Sequence, residues 1–152
     1  MTRGDSGESP DRAAVLREIG AALVEAVPEG WRRVRFEFFG TVQVDSALLE
    51  SVSDDGSASR HSVPRVAMRE FDRLRSTMYR PGAGTWFTAR YVIERSGEST
   101  IDFDHDNEPG FVPQLTAGAY LVDFERFPRD EENTPEWLRD RLREARAARA
   151  RA

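Results

Sequence analysis

Residues 86–105 read WFTARYVIERSGESTIDFDH, and their alternation decides the fold. Phe87, Ala89, Tyr91 and Ile93 share one parity, and Ile101 and Phe103 form a second apolar set beyond Ser96-Gly97. Successive side chains of a strand point to opposite faces, so two half-buried strands joined by a tight turn are expected. Parity also sets the register. A two-residue Ser96-Gly97 loop would place Ile101 opposite Val92, on the wrong face of the first strand. A three-residue loop, Arg95-Ser96-Gly97 with Gly97 left-handed, instead puts Tyr91 beside Ile101 and Ala89 beside Phe103. On the outer face Arg90 then lies opposite Asp102, and Trp86 shares the outward parity of Arg90.

Working outward, Ser9-Pro10 is a capping and first-turn signal, and Leu16, Ile19, Leu23 and Val27 follow at helical spacing, which predicts a helix over residues 10–26. Pro28-Glu29-Gly30 ends it. From Trp31 the period becomes two, with Val34, Phe36 and Phe38 alternating with Arg35 and Glu37, and Val42 and Val44 continue the alternation past a bend at Gly40. Short strands are expected at residues 48–52 and 57–61 around Asp54-Asp55-Gly56. Ala67, Phe71, Leu74 and Met78 predict a central helix that stops before Pro81-Gly82-Ala83-Gly84. Residues 115–127 predict a third helix, with Tyr120, Leu121, Phe124 and Phe127 as its apolar set and Pro128 as its stop. Thr134-Pro135-Glu136 opens a fourth. The resulting class is α+β: an antiparallel sheet of four or five strands with an N-terminal helix, a central helix and two C-terminal helices. One domain over residues 10–142 is expected, between a flexible tail at 1–9 and an Arg/Ala-rich tail at 143–152 that frays.

Composition narrows the classes of function. The chain has 152 residues and no Cys, which excludes disulfides, thiolate metal ligands and a cysteine nucleophile. Its N-terminal ten residues are polar, and no run approaches the roughly 18 apolar residues of a membrane span. The cytoplasm is the expected compartment. All 22 basic residues are Arg, and the net charge is -5. Residues 139–152 carry six Arg, whereas residues 98–136 hold eleven acids against Arg126 and Arg129. The acidic stretch should repel phosphate backbones and attract a basic protein.

The string Asp102-Phe103-Asp104-His105-Asp106-Asn107-Glu108 is the main candidate for chemistry. Period two sets Asp102, Asp104 and Asp106 on one face, behind which Ile101 and Phe103 are buried. A calcium loop would need Gly at its sixth place and Glu at its twelfth, where this chain has Asn107 and Pro113. A metal-assisted hydrolase built on Asp102, Asp104, His105 and Asp106 is the alternative reading, and an adaptor docking through its Arg/Ala tail is another. His61 reads as loop, and His105 continues the inward register of Phe103. Pro81-Gly82-Ala83-Gly84-Thr85 lacks the Lys and following helix of a phosphate loop and is expected to be a connector. No cofactor or metal is implied.

In this order the chain resembles the YezG-like immunity-protein (antitoxin) family over roughly residues 12–142. The resemblance is carried by Val27-Pro28-Glu29-Gly30-Trp31, by Val34-Arg35-Phe36-Glu37-Phe38, by Trp86 opening a strand toward Ser96-Gly97, and by Ile101-Asp102-Phe103-Asp104-His105-Asp106. It implies a cytoplasmic protein without turnover or cofactor that binds and blocks a cognate toxin, often a nuclease. Residue chemistry supplies the expected toxin-facing set: Asp102, Asp104, Asp106 and Glu108, Asp123 and Glu125 on the next helix, and Trp86 and Arg90 beside them.

Overall fold

The computed structural model describes residues 10–152; the expected tail at 1–9 and the Ser9 cap lie outside the described residues. Among the described residues four α-helices accompany one sheet: α1 (Pro10–Glu25), α2 (Arg65–Thr77), α3 (Ala117–Arg126) and α4 (Glu136–Arg151). The strands are β1 (Trp31–Gly40), β2 (Asp45–Ser53), β3 (Ala58–His61), β4 (Thr88–Glu94) and β5 (Ser99–Asp104). All neighbours are antiparallel, in the order β3-β2-β1-β4-β5. The α+β class and the order of elements are those expected from the sequence.

The β4–β5 hairpin forms in the register that parity demands, with Tyr91 opposite Ile101, Ala89 opposite Phe103 and Arg90 opposite Asp102. Gly97 has φ 102° and closes the three-residue loop, donating to the Glu94 carbonyl at 2.9 Å. Three details differ from expectation. Val42 and Val44 belong to the turn between β1 and β2, where the Val44 carbonyl accepts from the Thr41 N–H at 2.8 Å, and both are exposed. His61 ends β3 and bonds Ser51 Oγ through Nε2 at 2.7 Å, so it is not in a loop. The helix α4 continues to Arg151 because its outer turns have partners: Ala145 is buried, Arg146 lies over the Phe124 ring and Arg149 pairs with Glu125 at 3.0 Å.

Helices α1 and α2 bury their apolar stripes on one face of the sheet. Ile19, Leu23, Ala67, Phe71 and Leu74 meet Val34, Phe36, Phe38, Leu49, Ala89, Tyr91 and Ile93 there. Tyr91 fastens α1 further by donating its hydroxyl to the Leu16 carbonyl at 3.0 Å. Gly40 permits α2 to close over the end of β1, since a Cβ there would lie 2.8 Å from the Phe38 ring and 3.1 Å from Arg75 Cδ. A second cluster joins α3 and α4 to Phe87 through Tyr120, Leu121, Leu138 and Leu142.

Phe87 is therefore on the opposite side from Ala89, against the simple alternation. The Phe87 N–H bonds the Asp104 carbonyl at 3.0 Å although Asp104 already faces Thr88. Two residues oppose one, as in a β-bulge, and parity slips by one place. Phe87 turns into the second cluster and Trp86 into the first.

Candidate partner-binding site

The sheet face opposite α1 and α2 is laced with charge. Arg33 pairs with Glu94 at 3.0 Å, Arg35 with Glu50, and Arg90 with Glu37 at 2.9 Å. Arg90 also reaches Asp104 at 3.6 Å and Asp102 at 3.7 Å, so three of the expected site residues meet. Their environments differ. The Asp102 side chain is 73% exposed, but that of Asp104 only 15%. β5 ends at Asp104, whose carboxylate folds back to accept from the N–H groups of Asp106 (3.0 Å) and Asn107 (3.1 Å) and from Asn107 Nδ2 (3.0 Å). The expected row of three carboxylates along one strand is thus corrected: Asp102 stands in water, Asp104 organises a turn, and Asp106 lies beyond the strand. Burial pushes the Asp104 carboxyl up, yet the Asn107 and Asp106 hydrogen bonds and the Arg90 charge outweigh it and hold the group below its ordinary value.

Trp86 does not face a partner; it is fully buried among Phe38, Phe71 and Phe103. Asp123 is buried too, where it binds Arg75 through both carboxylate oxygens at 2.7 Å and accepts the Val42 N–H at 2.9 Å. Both therefore leave the expected contact set. Glu108 is half-buried against Arg141 at 2.8 Å, and Glu125, on the exposed side of α3, pairs with Arg149. Trp137 ties α4 to the acidic loop by donating Nε1 to the Asp106 carbonyl at 2.7 Å.

Among the described residues no group of three His, Asp or Glu side chains could hold a metal ion. His105 is half-buried, and burial, followed by the nearby Arg129, lowers its pKa from 6.5 despite the opposing carboxylates of Asp106 and Asp104. A lowered histidine pKa means that the folded state binds the proton less readily than the unfolded chain. The stability this contributes is full above about pH 6.5 and is lost as pH falls through the folded value. His105→Gln should therefore flatten the decline in melting temperature between about pH 6.5 and 5, while a decline of unchanged slope would assign it to other groups.

Tyr120 has a fully buried hydroxyl with no hydrogen-bond partner among the described residues. Burial, then the charge of Glu108, pushes its pKa up to about 12. An orphaned hydroxyl destabilises, so Tyr120→Phe is expected to leave urea-unfolding stability unchanged or raise it by about 1 kcal/mol. A comparable loss would show that the hydroxyl is satisfied.

Sequence reasoning missed Arg75 and Arg129. Arg75 lies four residues after Phe71 and eight after Ala67, on the buried stripe of α2, and a charge at that spacing is a signal for a buried partner. Arg129 lies in a loop and donates to the carbonyls of Thr85 (2.9 Å) and Asn133 (3.1 Å), which no local pattern announces. No helix among the described residues is long and apolar enough to cross a membrane. No protein-family model matches the chain, and no curated protein matches it either.

Proposed function

We propose that this chain is a non-catalytic immunity protein that binds a basic toxin and occludes its active groove. The observation that carries this reading is the exposed Asp102 carboxylate at the rim of the sheet, within an acidic stretch of the chain that also exposes Asp106 beyond the strand. A nuclease suits the partner's role, because a groove that holds phosphates is cationic and meets such a rim with opposite charge. Charge accelerates encounter, and close packing supplies residence time. The order of elements and the strings around Trp31, Phe36 and Asp102 add the likeness to YezG-like immunity proteins. The cytoplasm is the compartment in which such a toxin would be met.

The test is growth rescue. Each reading frame flanking this one is expressed alone and together with this chain. One frame is expected to arrest growth alone, to permit growth when this chain is present, and to co-purify with it. If no arresting frame is rescued, the neutralising role is wrong.

A further inference from the structure

We infer that the outer edge of β5 is a docking edge that accepts an extended, basic, amphipathic segment of a partner protein as a sixth strand. The inference rests on the reading that the chain acts by binding a protein, and it assigns the surface and the chemistry of the bound segment.

The backbone geometry comes first. β5 ends the strand order, so among the described residues one side of it has no strand neighbour. Tyr91, Ile93 and Ala89 bond toward β1, as fixed by the bonds that flank them in the same ladder: Arg95 N–H to the Arg32 carbonyl and Gly40 N–H to the Phe87 carbonyl, both 2.9 Å. Glu94 N–H bonds the Glu98 carbonyl at 2.8 Å, so the β4–β5 ladder uses the alternate residues Thr100 and Asp102. The N–H and C=O groups of Ser99 and Ile101 consequently point outward, as does the backbone of Phe103, which the His105 ring engages. An open edge of this kind templates another strand.

The two sides of that edge differ, and the difference specifies the occupant. On the side of α1 and α2, Ile101 is partly exposed, and Gly97 and Ser99 line a trough of about 830 Å³ between α1 and the hairpin. Its walls combine the apolar Ala21, Val24 and Ile93 with the charged Arg17, Glu18 and Glu25, so alternate side chains of an added strand would meet a largely apolar surface that also carries charge. On the other side the added strand would run past the exposed carboxylate of Asp102, whose counter-ion Arg90, at 3.7 Å, is shared with Glu37 and Asp104. Arginine or lysine opposite Asp102 would complete its pairing. A second copy of this chain fits poorly, because edge-to-edge pairing would gather Asp102 and Asp104 of both chains on one side of the joint sheet.

The experiment titrates the isotopically labelled full chain with three ten-residue peptides in which valine alternates with arginine, threonine or glutamate. The arginine peptide is expected to shift the amide signals of residues 99–103 and to bind at least tenfold more tightly than the threonine peptide, with no binding by the glutamate peptide. Ile101→Pro removes one outward N–H and leaves the bonds of Thr100 and Asp102 to β4, and it should weaken the arginine peptide at least tenfold. Should that variant unfold, Asp102→Arg on the exposed face decides instead, by rejecting the arginine peptide and accepting the glutamate one. Equal binding of all three peptides, no binding, or shifts confined to another surface would overturn the docking edge. Rescue that survives both substitutions would remove strand addition and leave neutralisation standing. Peptide binding without any rescued toxin would do the reverse.

Discussion

Asp123→Ala is expected to lower the unfolding free energy by about 3–5 kcal/mol, because it leaves a buried guanidinium uncompensated. Arg75 and Asp123 are both almost completely buried and meet through two bonds of 2.7 Å. Two further bonds hold the pair: Arg75 Nε donates to the Trp86 carbonyl at 2.6 Å, and Asp123 Oδ1 takes the Val42 N–H. The guanidinium also lies 5.2 Å from the centre of the Phe87 ring and 5.3 Å from that of Phe127. Removing the carboxylate strands both the cation and the Val42 N–H, while α2, α3 and the β1–β2 turn lose the link they share. Arg75→Met together with Asp123→Leu should cost less than Asp123→Ala alone, since apolar replacement removes the buried charge, and what remains is the loss of partners for the Trp86 carbonyl and the Val42 N–H. A double-mutant cycle in urea measures the coupling directly. A single-variant loss below about 1 kcal/mol would mean that the site relaxes enough to admit water to the cation.

What was legible in the sequence was local. The hairpin register follows from the parity of Tyr91, Ala89, Ile101 and Phe103 with the left-handed requirement at Gly97, all within 15 residues of one another. The helices announced themselves by apolar spacing, and so the architecture could be assembled. The candidate site was less legible because the fate of each carboxylate depends on partners distant in the chain. Asp123 meets Arg75 across 48 residues, and α4 holds its last turns by Arg149 reaching Glu125 across 24. The composition of the turn does foreshadow the role of Asp104, since Asp side chains bond backbone N–H groups two or three residues on. The slip at Phe87 has no such warning: it exists because one carbonyl of β5 serves two N–H groups of the facing strand, and only the paired sheet contains that information.

That slip makes Trp86→Ala the second substitution with a large expected effect, a loss of about 3–5 kcal/mol in unfolding free energy. The indole packs edge-on against Phe38 at 5.8 Å and Phe71 at 6.4 Å, lies 5.2 Å from Phe103, and donates Nε1 to Met78 Sδ at 3.2 Å. Truncation would open a cavity shared by α2, β1, β4 and β5, with no room for neighbours to collapse into it without moving the sheet. Had the outward parity of the simple alternation held, the same substitution would leave stability within about 0.5 kcal/mol and act on partner association alone. Urea unfolding separates the two, and iodide should quench the Trp86 contribution to fluorescence weakly. Trp86→Phe keeps most of the packing and is expected to lose markedly less than Trp86→Ala. Because Phe103 is the member of this cluster on β5, Trp86→Ala should also speed amide exchange at Thr100 and Asp102, the residues whose N–H groups hold β5 to β4. Partner binding would then weaken through a loosened edge strand, an effect that Trp86→Phe should largely restore although the indole itself never reaches the surface.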